Sequence, residues 1–255
     1  MKVQSQSLSI PKKRSRARSG SAPAPQAWTR DAVLRELAGM GSASAIKQME
    51  YFGVKVPKAL GISVPNLKAL AKRIGRNAKL AEELWESGVH EARILVALIG
   101  EAQKVTSEQM ERWANDFDSW DVVDSCCCYL FAYNKLAWGK TESWSRRKEE
   151  YVKRAAFALV AYLSYKDKNA KDEKFVSFLR VIEREAHDER NFVRKSVNWA
   201  LRNIGKRNMR CNREAIRAAE RIREQGSRAA RWIAADALRE LKGAAVQTRL
   251  RKKTA

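Results

Sequence analysis

An all-α fold, wound as a solenoid of helix pairs, is predicted for this 255-residue chain by three observations. Apolar residues recur at intervals of three and four through twelve successive segments, no alternating strand run or hairpin signal interrupts them, and several segments resemble one another at a spacing near 40 residues. The periodicity predicts helices near 30–38, 43–52, 65–75, 78–86, 89–101, 107–116, 119–132, 148–164, 171–185, 191–206, 211–224 and 227–241, with Gly and Pro falling mostly between them, as in GISVP from Gly61 and ESG from Glu86. The stretch from 133 to 147, with Trp138 and Trp144, carries no assigned helix.

Taken in order, the clearest stripes lie in the second half. In 119–132 the core face is Val122, Val123, Cys126, Cys127, Tyr129 and Leu130. In 148–164 it is Val152, Ala156, Leu159, Val160 and Leu163, and in 191–206 it is Val193, Val197, Ala200, Leu201 and Ile204. The stretches VKRAAFALVAYL from Val152, VRKSVNWALRNI from Val193 and ARWIAADALREL from Ala230 align, with starts 41 and 37 residues apart; HEARILVALIGE from His90 is a looser fourth copy. Two helices per period near 40 is the pattern of HEAT-like solenoids, in which each pair buries its apolar face on its neighbours and the inner helices line a concave surface.

With 45% hydrophobic residues the chain can bury one large core. Residues 1–27, containing PKKRSRARSGSAPAPQ, have no apolar block and are expected to be a disordered basic tail; residues 28–242 form the repeat domain, and 243–255 a basic C-terminal tail. The sequence contains neither a signal-peptide apolar region nor an 18-residue apolar run, so a soluble protein of the cytoplasm or bacterial nucleoid is expected, or of the nucleus in a eukaryote. The four cysteines, Cys126, Cys127, Cys128 and Cys211, lack metal-ligand spacing, and His90 and His187 are far apart. They are expected to be reduced core thiols, with no metal and no cofactor. A net charge of +22, from 51 Lys and Arg against 29 Asp and Glu, points to a polyanion, and nucleic acid fits better than a membrane surface because the cations lie on helices with packed cores opposite.

Three faces lie off the predicted core. Trp120 and Asp124, an i, i+4 pair in SWDVVD, sit roughly 130° from the centre of their apolar stripe. On spacing alone they read as helix-start acids favoured by the positive N-terminal end, with an indole capping a hydrophobic edge. Arg154 points away from its stripe between Ala158 and Ala161, as either a solvated arginine or one with room for a large ligand. Trp199 groups with Lys195, Arg202 and Lys206; either it packs in an inter-helix groove or it meets a ligand whose backbone those cations hold.

From about Trp28 to Lys242 the chain resembles the DNA alkylation repair proteins of the AlkD type, HEAT-like-repeat DNA glycosylases. HEARILVALI, SWDVVD, YVKRAAFALVAYL, DERNFVRKSVNWALRNIGKRN and AARWIAADALREL carry the resemblance. It implies a cleft of Trp120, Asp124, Arg154 and Trp199 and excision of positively charged N3- and N7-alkylated purines from duplex DNA, without the lesion being flipped into a pocket. Asp124 would then oppose charge developing on the deoxyribose, the two indoles would contact sugar and cationic base, and Arg154 would hold a phosphate. Arg194, Lys195, Arg202 and Lys206 are the expected DNA-backbone contacts, and the protein is expected to act as a monomer on DNA. The alternative function is a non-catalytic HEAT-like protein that binds distorted or branched DNA; a protein-interaction scaffold fits the charge less well.

Overall fold

A computed structural model describes residues 28–252; the expected N-terminal tail lies outside the described residues, as do 253–255. The helices are α1 (Arg30–Gly39), α2 (Ala43–Tyr51), α3 (Val64–Ile74), α4 (Ala78–Trp85), α5 (His90–Ile99), α6 (Ser107–Asn115), α7 (Trp120–Tyr129), α8 (Ala137–Ser145), α9 (Glu150–Lys166), α10 (Asp172–Glu185), α11 (Asn191–Gly205), α12 (Met209–Glu224), α13 (Arg228–Lys242) and α14 (Ala244–Lys252). Short 3-10 turns occupy Ala102–Lys104 and Phe131–Tyr133, and no strand occurs among the described residues. Seven of the helix starts are set by side-chain caps. Thr29, Ser42, Ser63, Asn77, Thr106, Asn208 and Ser227 each accept the backbone N–H three residues on, satisfying a donor that the first turn leaves orphaned.

The helices stack as a HEAT-like solenoid. Pairs α4/α5, α8/α9, α10/α11 and α12/α13 pack within themselves, while α5, α7, α9, α11 and α13 pack one on the next as a continuous inner layer. The sequence copies beginning at His90, Val152, Val193 and Ala230 fall on α5, α9, α11 and α13, so the repeat seen in the chain is the repeat of this inner layer. Helix α9 lies between α7, α8 and α11 and is buried almost all round, including Ala155, Phe157, Ala158 and Ala161 as well as its predicted stripe.

Two elements differ from the sequence expectation. Helix α8 occupies the unassigned stretch: its core contacts come from Ala137, Trp144 and the stems of polar residues such as Lys140, so no apolar period marks it. The Trp144 indole N–H and the Lys140 ammonium both donate to Glu111 Oε1, at 2.9 and 2.6 Å. The expected C-terminal tail is largely the helix α14, which buries Val246 and Leu250 while the Gln247 amide donates to Asn212 Oδ1 and to the Leu241 carbonyl.

The N-terminal helices are positioned by a buried acid. Glu91, fully buried on α5, accepts the backbone N–H groups of Leu60 (2.8 Å), Gly61 (2.6 Å) and Ile62 (3.2 Å). Gly61 has φ +78°, and a Cβ there would meet the Ser42 carbonyl oxygen at 2.2 Å, so only glycine lets the α2–α3 connection close on this carboxylate. That clamp holds the first turn of α2, whose N-cap Ser42 donates its N–H to the Leu60 carbonyl at 2.8 Å, against the inner layer. Among the described residues no helix is long and apolar enough to cross a membrane.

Candidate active site

The site is assembled on α7, α9 and α11, with the end of α2 as its rim. Because α7 starts at Trp120 and rises 3.6 residues per turn, the indole and the Asp124 carboxylate share one flank while Val122, Val123, Cys126 and Cys127 enter the core, as the angular count predicts. Trp120 is half-buried. Its indole N–H donates to the Phe52 carbonyl in the turn ending α2, at 3.1 Å, which fixes the plane of the ring. That turn also approaches α11: a Cβ on Gly53 would lie 3.0 Å from Phe192 Cζ.

Asp124 faces Arg154 across the α7–α9 packing. The guanidinium donates through Nε to Asp124 Oδ1 (3.1 Å) and through Nη2 to Oδ2 (2.7 Å), a bidentate pair, and its Nη1 donates to the Phe192 carbonyl at 3.0 Å. Its centre lies 5.9 Å from that of the Trp120 ring. Burial pushes the Asp124 carboxyl above its usual value, against the opposing pull of Arg154. Arg154 is only 6% exposed. The groove expected over Ala158 and Ala161 is closed, because both alanines are buried in helix packing; the arginine is held by Asp124 and Phe192 instead of standing open to a phosphate.

Trp199 is half-buried off the α11 core stripe. It meets Tyr162 of α9 edge to face, with centroids 4.9 Å apart. Burial raises the Tyr162 phenol above its usual value, and the neighbouring charge of Asp124 raises it further. Tyr162 was not among the candidates read from the sequence. Its position two turns after Arg154, on the flank that carries Ala158 and Ala161, was the available signal.

The four basic candidates separate. Arg202 Nη1 lies 2.6 Å from Glu240 and 3.4 Å from Asp236, and Lys206 Nζ lies 2.7 Å from Glu240, so both are paired to acids of α13. Arg194 stacks over the partly exposed Trp232 at 5.2 Å. Lys195 is exposed on α11. Beside the site, His90 Nε2 lies 2.9 Å from Asp121 Oδ2 in a largely buried pair. Burial works against the His90 cation but Asp121 outweighs it, leaving His90 above its usual pKa; Asp121 is correspondingly held low by His90 despite its burial.

The cysteines are free, and burial pushes the Cys126 and Cys127 thiols far up and Cys211 to about 12, so none of these three is a ready thiolate. Among the described residues no group of three or more His, Cys, Asp or Glu side chains could hold a metal ion. What the site offers is one carboxylate, one guanidinium and three aromatic rings.

The fold matches a solved structure described as a new family of proteins related to the HEAT-like repeat DNA glycosylases with affinity for branched DNA structures. The TM-score is 0.69 and the identity 19%, over 76% of this chain and 83% of the other. Among curated proteins no relative matches. Residues 33–241, spanning every element from α1 to α13 that builds the site, match the family described as DNA alkylation repair enzymes, and the chain belongs to that family.

Proposed function

We propose that this protein is a DNA glycosylase that hydrolyses the N-glycosidic bond of cationic N3- and N7-alkylated purines in duplex DNA. The observation that carries the reading is Asp124, a carboxylate one helical turn from Trp120 and paired with the guanidinium that lies over the Trp120 ring, in a chain of net charge +22. An alkylated purine is already positively charged, so when C1′–N breaks the bonding electrons neutralise the leaving base and no strong acid is required. Positive charge then grows on the deoxyribose, where a fixed carboxylate opposes it, and water adds at C1′ and gives up a proton, leaving an abasic site. The faces of Trp120, Tyr162 and Trp199 suit a flat cation and the sugar. The pair with Arg154 sets a condition: a DNA phosphate entering beside the guanidinium would compete with Asp124 for it and free the carboxylate.

The same pair also favours a second reading, DNA binding without excision, because both Asp124 oxygens are engaged by Arg154. The related solved protein, with its affinity for branched DNA, is consistent with that reading. Single-turnover incubation with duplex containing N7-methylguanine separates the two. A glycosylase releases the free base, and Asp124→Asn, which keeps shape and removes charge, slows release by on the order of 10²-fold or more with DNA affinity retained. Duplex binding with no release by the wild type leaves the binding reading in its place.

A further inference from the structure

Beyond the Trp120–Asp124 cleft, tyrosines and cations alternate along one edge of the inner layer, at the C-terminal ends of α7 and α9. Lys68 of α3 stands 5.0 Å over the Tyr129 ring. Lys166 Nζ lies 4.3 Å from the centre of the Tyr133 ring, donates to its hydroxyl at 2.7 Å, and lies 5.8 Å from the centre of Tyr162. Tyr162 in turn meets Tyr165 at 6.0 Å. The track opens at both ends. Tyr129 and Tyr133 line a hollow of about 240 Å³ with Arg76, and Tyr165 lines one of about 600 Å³ with Lys168, Lys206 and Arg249. Arg249 belongs to α14, outside the stretch shared with the family.

Tyr133 and Tyr165 are 53% and 52% exposed, an unusual placement for rings so close to a packed inner layer. Lys206 is paired with Glu240, but the other nearby acids do not cancel the cations in the track: Asp167 accepts from the Trp138 indole and from the Ala170 N–H, and Asp172 holds Arg207 and Asn208. Exposed ring faces separated by ammonium groups match the chemistry of an unpaired nucleic-acid strand, whose bases stack and whose phosphates pair with the cations. A continuous duplex keeps its base faces inside and could use only the cations.

We propose that this tyrosine–lysine track binds a single-stranded segment of DNA, next to the cleft and joined to it at Tyr162. The proposal rests on the DNA reading above. It makes the protein a reader of duplex that carries an unpaired strand, with the strand on Tyr133 and Tyr165 and the duplex on the cleft.

The test compares the full-length wild type with Tyr133→Ala/Tyr165→Ala and Tyr133→Phe/Tyr165→Phe, by fluorescence anisotropy on four probes. These are a blunt duplex, the same duplex with an overhang of about 12 nucleotides, that overhang alone as DNA, and the same strand as RNA. The wild type should bind the overhang duplex more tightly than the blunt one. The alanine pair should lose about tenfold or more on the overhang duplex and the single DNA strand, because stacking on each ring is removed. The phenylalanine pair keeps the ring faces and should stay within about twofold, and blunt-duplex affinity should be unchanged in all three proteins. Unchanged circular-dichroism melts would show that the variants fold. Single-strand binding that survives the alanine pair, an equal loss on blunt duplex, or tighter binding of the RNA strand would overturn the assignment. Blunt-duplex binding without single-strand binding would overturn this proposal alone, whereas no binding to any DNA would remove the DNA reading with it.

Discussion

Replacing Arg154 by Met keeps most of the side-chain length and removes the guanidinium. The variant loses the bidentate pair at 3.1 and 2.7 Å and the 3.0 Å bond to the Phe192 carbonyl, and it strands Asp124 without a counter-charge in a site where Arg154 itself is only 6% exposed. Breaking one side of such a pair costs about 3–5 kcal/mol near neutral pH. At about 2–4 °C per kcal/mol for a domain of this size, the melting temperature should fall by roughly 6–20 °C. The loss should depend on pH. Burial already pushes Asp124 up, and removing the opposing pull of Arg154 pushes it further, so the folded variant takes up a proton that the unfolded chain does not hold. Its stability therefore rises relative to wild type as pH falls from 8 to 5. Adding Asp124→Asn to Arg154→Met should restore much of the loss, giving a coupling energy of about 2 kcal/mol in a double-mutant cycle. Urea and thermal denaturation at pH 8 and 5 measure all of this. A variant within about 1 kcal/mol of wild type at pH 8, or a coupling near zero, would show that the pair does not hold the site together.

His90→Gln should be most damaging near pH 5–6. With His90 raised, the contribution of the His90–Asp121 pair is fully present below the unfolded histidine value of about 6.5 and fades as pH rises through the folded one; the Asp121 side is lost on acidification below about 4. A stability deficit that grows between pH 6 and 9 would contradict this. Glu91→Gln should cost about 3 kcal/mol, because a neutral amide replaces a carboxylate that accepts three backbone donors, and hydrogen exchange at Leu60, Gly61 and Ile62 should accelerate. Unaltered exchange at those amides would show that something else clamps the α2–α3 connection.

Local periodicity is enough to place most of the helices and the pairing of like with like along the inner layer. It fails where a helix buries little conventional apolar surface: α8 uses Trp144 and the stem of Lys140, and α14 needs only Val246 and Leu250. In the candidate site, the common flank of Trp120 and Asp124 follows from four residues of helical rotation and was legible in SWDVVD alone. That Asp124 meets Arg154, 30 residues on, and that Arg202 and Lys206 meet Glu240 on the next repeat, was not. Net charge counts cations without saying which are already paired, and an ion pair is decided by the atom a few ångströms away, whose sequence distance is set by how the repeats stack. The sequence by itself therefore determined the all-α repeat, its inner layer and the flank bearing Trp120 and Asp124. Only the tertiary structure decided which charges meet, that Tyr162 meets Trp199 edge to face, and that the turn ending α2 reaches across the solenoid to fix the Trp120 ring, because each of these is a contact between helices distant in the chain.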